Sequence, residues 1–167
     1  TGEGNDRAFG GMGNDQLFGQ GGTDLLLGGS GNDMLFGGDG NDVLQGNAGG
    51  DQLVGQAGSD VFQFTDITDS TMAGGLDLIG GFDGAGAAAG DLIHLALIDA
   101  NTLLGGNQAF VFNGTTVGGT GTIWLGNSGT QTFVYVNNDA DAAADMLIRI
   151  DDGGGLASQY VAGDFTL

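Results

Sequence analysis

The sequence predicts an all-β protein: a right-handed parallel β-roll over residues 1–63, capped by a β-rich segment over residues 64–167. Three observations predict it. Seven nine-residue units begin at residues 1, 10, 19, 28, 37, 46 and 55. In every unit the sixth place is aspartate (Asp6, Asp15, Asp24, Asp33, Asp42, Asp51, Asp60) and the eighth is apolar (Ala8, Leu17, Leu26, Leu35, Leu44, Leu53, Phe62). Beyond the units, short β-like runs are parted by Gly, Asn and Thr.

The unit at residues 28–36 reads Gly-Gly-Ser-Gly-Asn-Asp-Met-Leu-Phe, the form G-G-x-G-N-D-x-U-x with U a large apolar residue. Nine-residue repeats of this kind mark calcium-binding parallel β-helices. The spacing explains why. Six residues make a turn, whose glycines reach backbone angles closed to other residues. Three residues, x-U-x, make a strand that points one side chain inward. One unit is half a coil, so units two apart share a side and their turns stack at about 4.8 Å. A calcium–oxygen distance of roughly 2.3–2.6 Å lets one ion take oxygens from two stacked turns, whereas magnesium demands about 2.0–2.1 Å and a rigid octahedron. A flexible linker of the same composition would show no fixed phase. Here the aspartate never slips, and the linker reading is set aside.

Place two departs from glycine at Gln20, Asn47 and Gln56. A left-handed conformation there strains Gln more than Asn. Ala8 makes the first inner rung thin. After Phe64 the period fades, but Asp69 lies eighteen residues after Asp51 and is read as an eighth half-turn. Strands are expected at residues 76–79, 92–98, 110–113, 122–125, 132–136 and 146–150. Alternation sets Thr132, Val134 and Val136 against Phe133 and Tyr135, and Met146, Ile148 and Ile150 against Leu147 and Arg149. A short helical turn fits residues 140–147. An open roll end needs a cap, and residues 64–167 are read as that cap, with an aromatic-rich core of their own.

Composition excludes several functions. Glu3 and twenty aspartates face only Arg7 and Arg149, a net charge of −19. Nucleic acid is therefore no partner, since binding it rests on Lys and Arg meeting phosphates. No cysteine is present, which removes disulfides and thiolate zinc sites. No apolar run reaches the ~18 residues of a membrane span, and no signal-peptide pattern opens the chain. The chain begins inside a repeat without methionine and is read as part of a longer protein. Catalysis is not expected. The one histidine, His94, lies in an apolar run without a partner base or nucleophile, and the H-E-x-x-H zinc motif is absent. Asp139, Asp141 and Asp145 suggest a small calcium loop, but they lack the glycine and closing glutamate of an EF-hand and read better as a solvated acidic loop.

The nonapeptides resemble the RTX (repeats-in-toxin) family. The sequel is similar to the C-terminal domain of serralysin-type secreted metalloproteases, through Phe64 with Asp69-Ser70, Asp77-Leu78-Ile79-Gly80-Gly81-Phe82, Asp91-Leu92-Ile93-His94-Leu95, Asn138-Asp139-Ala140-Asp141, Ala144-Asp145-Met146-Leu147-Ile148 and Gly163-Asp164-Phe165-Thr166-Leu167. Gly81 and His94 stand where that family often has aspartate, and the insert 84–90 is long. These departures weaken a metal site near residues 80–95.

The resemblance implies ligand sets built from two turns. The first turn gives the carbonyls of places two and four plus its aspartate. The second gives the carbonyls of places one and three plus its own. In the even column Gly11, Gly13 and Asp15 meet Gly28, Ser30 and Asp33, while Gly29, Gly31 and Asp33 meet Gly46, Ala48 and Asp51. In the odd column Gly2, Gly4 and Asp6 meet Gly19, Gly21 and Asp24. Gln20, Gly22 and Asp24 meet Gly37, Asp39 and Asp42, and Gly38, Gly40 and Asp42 meet Gly55, Ala57 and Asp60. Asn47, Gly49 and Asp51 with Asp69, joined by Asp77, make a sixth set, so five to six calcium ions are expected.

A secreted, extracellular protein of a Gram-negative bacterium is implied, exported through a type I secretion transporter, with the N-terminal domain of a longer parent as a further partner. Asp164-Phe165-Thr166-Leu167 resembles an uncleaved export signal. A binding module for polysaccharide or a cell surface is the second reading, since such tails also occur in polysaccharide epimerases, lipases and surface proteins. Phe18, Phe36 and Val54, with Met34 beside them, are expected to stack as an apolar stripe on one outer face. Burial under the cap is the favoured expectation, and a docking face for the parent's N-terminal domain the other.

Overall fold

The computed structural model describes residues 1–83, 90–98, 110–112, 114–116, 120–139, 143–151 and 159–167. The repeats give β1 (Gly2–Glu3), β2 (Arg7–Met12), β3 (Gln16–Gly21), β4 (Leu25–Ser30), β5 (Met34–Asp39), β6 (Val43–Ala48), β7 (Gln52–Ala57) and β8 (Val61–Gln63). The rest gives β9 (Leu78–Gly80), β10 (Leu92–His94), β11 (Val111–Phe112), β12 (Thr122–Ser128), β13 (Gln131–Asn137), β14 (Met146–Asp151) and β15 (Phe165–Thr166), the last entered through a 3-10 turn at Ala162–Asp164.

Strands β1 to β10 alternate between two sheets. One runs β1-β3-β5-β7-β9-β14-β13-β12-β11 and the other β15-β10-β8-β6-β4-β2. Pairing is parallel throughout the roll and antiparallel only for β12–β13 and β13–β14. The eighth-place residues stack in register between the sheets. Ala8, Leu26, Leu44, Phe62, Ile93 and Phe165 form one ladder. Leu17, Leu35, Leu53, Ile79 and Ile150 form the other. Leu26, Leu35, Leu44, Leu53, Phe62, Ile79, Ile93 and Ile150 are wholly buried, each worth about 1.5–3 kcal/mol relative to exposure. Phe165 closes the stack with its ring 5.1 Å from Phe112.

Three expectations change. β2 to β7 are six residues long, not three, running from place seven to place three of the next unit. Phe9 pairs Leu27, then Gly11 pairs Gly29, and place one is skipped. The bend is taken at place two with positive φ, 117° at Gly29, which turns the chain without ending the ladder. Gln20, Asn47 and Gln56 hold φ of 82°, 68° and 77° at that place, the conformation that strains a side-chain-bearing residue. Second, residue 63 ends the regular repeat but breaks neither sheet, because β9 and β10 pair directly with β7 and β8. One apolar core runs through both segments.

Third, the described cap strands extend the sheets edge to edge and do not lie over the Phe18–Phe36 stripe. Those rings stack at 5.1 Å and 8°, with Phe18 49 % and Met34 40 % exposed. The expected burial of the stripe is corrected. Beyond the repeats, the expected strands become β9 to β14 with ends shifted by a few residues. β10 is shorter, ending at His94, and residue 113 lies outside the described residues. Of the expected helical turn, residues 140–142 lie outside the described residues and Met146–Leu147 belong to β14.

Candidate metal centres

One bond repeats along the roll. The backbone N–H of Asp6 donates to Asp24 Oδ1 at 2.7 Å. The N–H groups of Asp15, Asp24, Asp33 and Asp42 donate likewise to Asp33, Asp42, Asp51 and Asp60, each at 2.8 Å. The parallel register sets this, because it places each aspartate over the one two units earlier. Two columns result, one through Asp15, Asp33 and Asp51 and the other through Asp6, Asp24, Asp42 and Asp60.

Oδ1 of Asp24, Asp33, Asp42, Asp51 and Asp60 is thereby satisfied, and Oδ2 is not. The Oδ2 atoms of Asp15, Asp24, Asp33, Asp42, Asp51, Asp60 and Asp77 are buried without a hydrogen-bond partner. An unpaired buried carboxylate oxygen is costly, and a recurring set calls for a cation. The first-place glycine keeps the space beside Oδ2 open. A Cβ at Gly10 would lie 2.9 Å from Asp15 Oδ2 and 2.6 Å from the Gly28 carbonyl oxygen. A Cβ at Gly29 or Gly31 would run into the carbonyl oxygen of Gly11 or Gly13, so glycine at places two and four lets successive turns stack closely. The third-place carbonyls of Gly21, Ser30, Asp39, Ala48 and Ala57 accept the N–H of Gly4, Gly13, Gly22, Gly31 and Gly40 at 2.7–2.9 Å. Each keeps a second lone pair. No group of three His, Cys, Asp or Glu side chains suited to a metal occurs among the described residues. Two carboxylates with backbone carbonyls would make a hard-oxygen donor set, which fits calcium.

Protonation follows from burial. Burial pushes Asp51 and Asp60 up to about 6 and Asp77 up to about 9, with neighbouring aspartates adding to the rise and the N–H bonds opposing it. Asp42 and Asp91 are raised for the same first reason. Without a cation, Asp51, Asp60 and Asp77 keep their protons to higher pH than an ordinary carboxyl does.

Asp69 does not take the position that its spacing suggests. The Asp51 N–H donates to Asp77 Oδ1 at 2.8 Å, so Asp77 continues the even column. Asp69 Oδ2 instead accepts the N–H groups of Thr65 and Asp66 at 2.8 and 2.9 Å, closing a loop before the bridge Thr71–Gly75. It stays near enough for its charge to raise Asp51 and Asp77.

The odd column continues as well. Asp60 N–H donates to Asp91 Oδ1 at 2.9 Å, and Asp91 Oδ2 accepts the Asp83 N–H at 2.9 Å. Asp91 was missed, although Asp91-Leu92-Ile93 repeats the D-x-U signature of Asp60-Val61-Phe62. Also missed was a ladder at place five. The Oδ1 atoms of Asn5, Asn14, Asn32 and Asn41 accept the N–H of Thr23, Asn32, Gly50 and Ser59 at 2.9–3.0 Å. Its signal was the Asn-Asp pair in units one, two, four and five.

His94 is half-buried on β10, between Gln63 of β8 and Thr166 of β15. Asp145 Oδ2 accepts the Asn138 N–H at 2.8 Å, and the Asp139 N–H donates to Asn137 Oδ1 at 3.1 Å. Asp141 lies outside the described residues.

Residues 1–35 and 27–62 match the profile of the RTX calcium-binding nonapeptide repeat, four copies. Repeats of that family bind calcium and are typical of secreted proteins. No curated protein matches the chain. Among solved structures, the AlgE6R2 subunit of the Azotobacter vinelandii mannuronan C5-epimerase is similar, with 22 % identity and a TM-score of 0.56 over 96 % of this chain and 91 % of that one. The AlgE6R3 subunit of the same enzyme has 24 % identity and a TM-score of 0.44 over 98 % and 78 %. The AlgE6R2 likeness shows a shared fold.

Proposed function

We propose that residues 1–63 are a calcium-triggered folding module that serves the export and stabilisation of a larger secreted protein. The row of buried, unpartnered Oδ2 atoms in two columns carries this reading. Without calcium, stacked aspartates repel. Two charges about 4 Å apart cost about 1 kcal/mol in water and about 4 kcal/mol at a protein surface. The glycines add a large ordering entropy. Together these disfavour the roll where calcium is scarce. Outside a cell, sites with dissociation constants of roughly 10⁻⁴–10⁻³ M fill, and binding energy becomes folding energy.

The five ligand sets within the repeats, with a sixth from Asn47, Gly49, Asp51 and Asp77, are the proposed calcium sites. An unfolded chain passes a type I secretion transporter, and folding outside prevents its return. The resemblance of residues 64–167 to the serralysin-type tail supports the export role. Calorimetric titration tests the ligand sets: five to six calcium ions should bind, and magnesium at equal concentration should not displace them. Uptake of one or two ions, or ready replacement by magnesium, would contradict the cages.

A second reading, a carbohydrate- or cell-surface-binding module, is supported by a different observation. Arg149 is one of two cationic side chains in a strongly acidic chain, and its Nε is buried without a hydrogen-bond partner.

A further inference from the structure

Arg149 projects from β14 beside a depression of about 270 Å³ on the flank of the roll. Three kinds of group meet there. Leu76 and Leu78 give an aliphatic wall, Asn32 and Gln52 bring side-chain amides, and Arg149 brings a guanidinium. Asn32 Oδ1 is occupied by the Gly50 N–H at 3.0 Å, which leaves its NH2 as a donor. Asp33 and Asp51, two carboxylates that face one another along the even column, line the same depression.

The charge balance of this place depends on calcium. Metal-free, the two aspartates oppose any anion. With a calcium ion between them their charge is neutralised, and Arg149 is left as the net charge facing the depression. Resting on the reading of the chain as a carbohydrate-binding module, we infer that this depression binds the carboxylate of a uronic-acid unit in the calcium-loaded protein. The guanidinium takes the carboxylate, for which its planar fork of donors is suited. The amides of Asn32 and Gln52 meet ring hydroxyls, and Leu76 and Leu78 meet the apolar C–H face of the ring. A neutral sugar would leave Arg149 unpaired, and an acidic peptide would leave the aliphatic wall without a flat ring to cover it.

The test uses the full chain in calcium well in excess of ligand, followed by side-chain nuclear magnetic resonance. Methyl glucuronide should shift the Arg149 Nε–H and the Gln52 and Asn32 NH2 signals saturably. Methyl glucoside, which has a hydroxymethyl group in place of the carboxylate, should not. Arg149→Gln should weaken binding by about tenfold or more, the worth of a charge-assisted bond. Arg149→Lys, which keeps the charge but loses the fork, should weaken it less. Calcium uptake measured on each variant separates lost folding from lost binding. If Arg149→Gln fails to fold, the wild-type shifts and the lysine variant still decide.

Shifts confined to other residues would overturn this site while leaving a glycan-binding role standing. No shift at all, equal shifts with methyl glucoside, or tighter binding of a glutamate-rich peptide would overturn the proposal.

Discussion

The backbone N–H of Asp51 donates to Asp77 Oδ1 at 2.8 Å across twenty-six residues of sequence, the same bond that joins Asp33 to Asp51 across eighteen. The loop from Thr65 to Leu76 is inserted without disturbing the column. What the column selects is an aspartate two residues ahead of an inward apolar side chain, here Ile79, and not a count of eighteen.

The two aspartates should therefore separate on mutation. Asp77→Ala should lose one calcium ion from the total, the one at the uppermost even-column site. Asp69→Ala should keep the full number of ions while loosening the loop that its Oδ2 ties together. Calorimetric titration of both variants checks this, and equal losses would assign Asp69 to a cage.

Column membership makes a second prediction. Asp33 lies between Asp15 and Asp51, whereas Asp6 has a column neighbour on one side only. Asp33→Ala should weaken two sites and Asp6→Ala one. The fitted stoichiometries of the two variants give the comparison.

Acid should partly replace calcium. The folded pKa of Asp51 and Asp60 is raised from 3.8 to about 6, and that of Asp77 to about 9. A raised pKa means that the metal-free folded state holds protons which the unfolded chain releases. That stability is full below about pH 4 and is lost as pH rises through about 6 and then about 9. In chelator, the β signal in circular dichroism should be greater at about pH 5 than at about pH 8. With calcium present the order should reverse, because protons compete with the cation for the same oxygens.

The outer stripe should tolerate polarity where the inner ladder does not. Phe18 is half exposed and stacked on Phe36, so Phe18→Ser with Phe36→Ser should cost about 1 kcal/mol, little more than the loss of an aromatic pair, and raise solubility. Leu44→Ala, at a wholly buried rung, should cost about 2–5 kcal/mol. Denaturant unfolding in saturating calcium measures both.

The sequence made the roll legible because its cages and its core share one period. Asp at place six and Leu at place eight specify both columns and both ladders, and even the strain at Gln20, Asn47 and Gln56 was visible as departures from glycine. The period carries no information once the chain inserts loops. Asp69 kept phase by accident, being followed by Ser70-Thr71 and not by an apolar residue two places on. Asp91 lost phase but kept the local D-x-U pattern, so pattern was the better guide than spacing. Strand length was underestimated for a related reason. The glycines that mark a turn in sequence also bend a strand whose ladder continues past them. The exposure of Phe18 was hidden because period-two alternation tells inward from outward and does not say what covers the outer face.

Circular dichroism of the full chain, titrated with calcium from chelator upward at neutral pH, tests the central claim most directly. The β signal of the roll should be largely absent in chelator and should appear cooperatively as calcium reaches roughly 10⁻⁴–10⁻³ M. A chain that is equally β-structured in chelator and in calcium would contradict calcium-triggered folding.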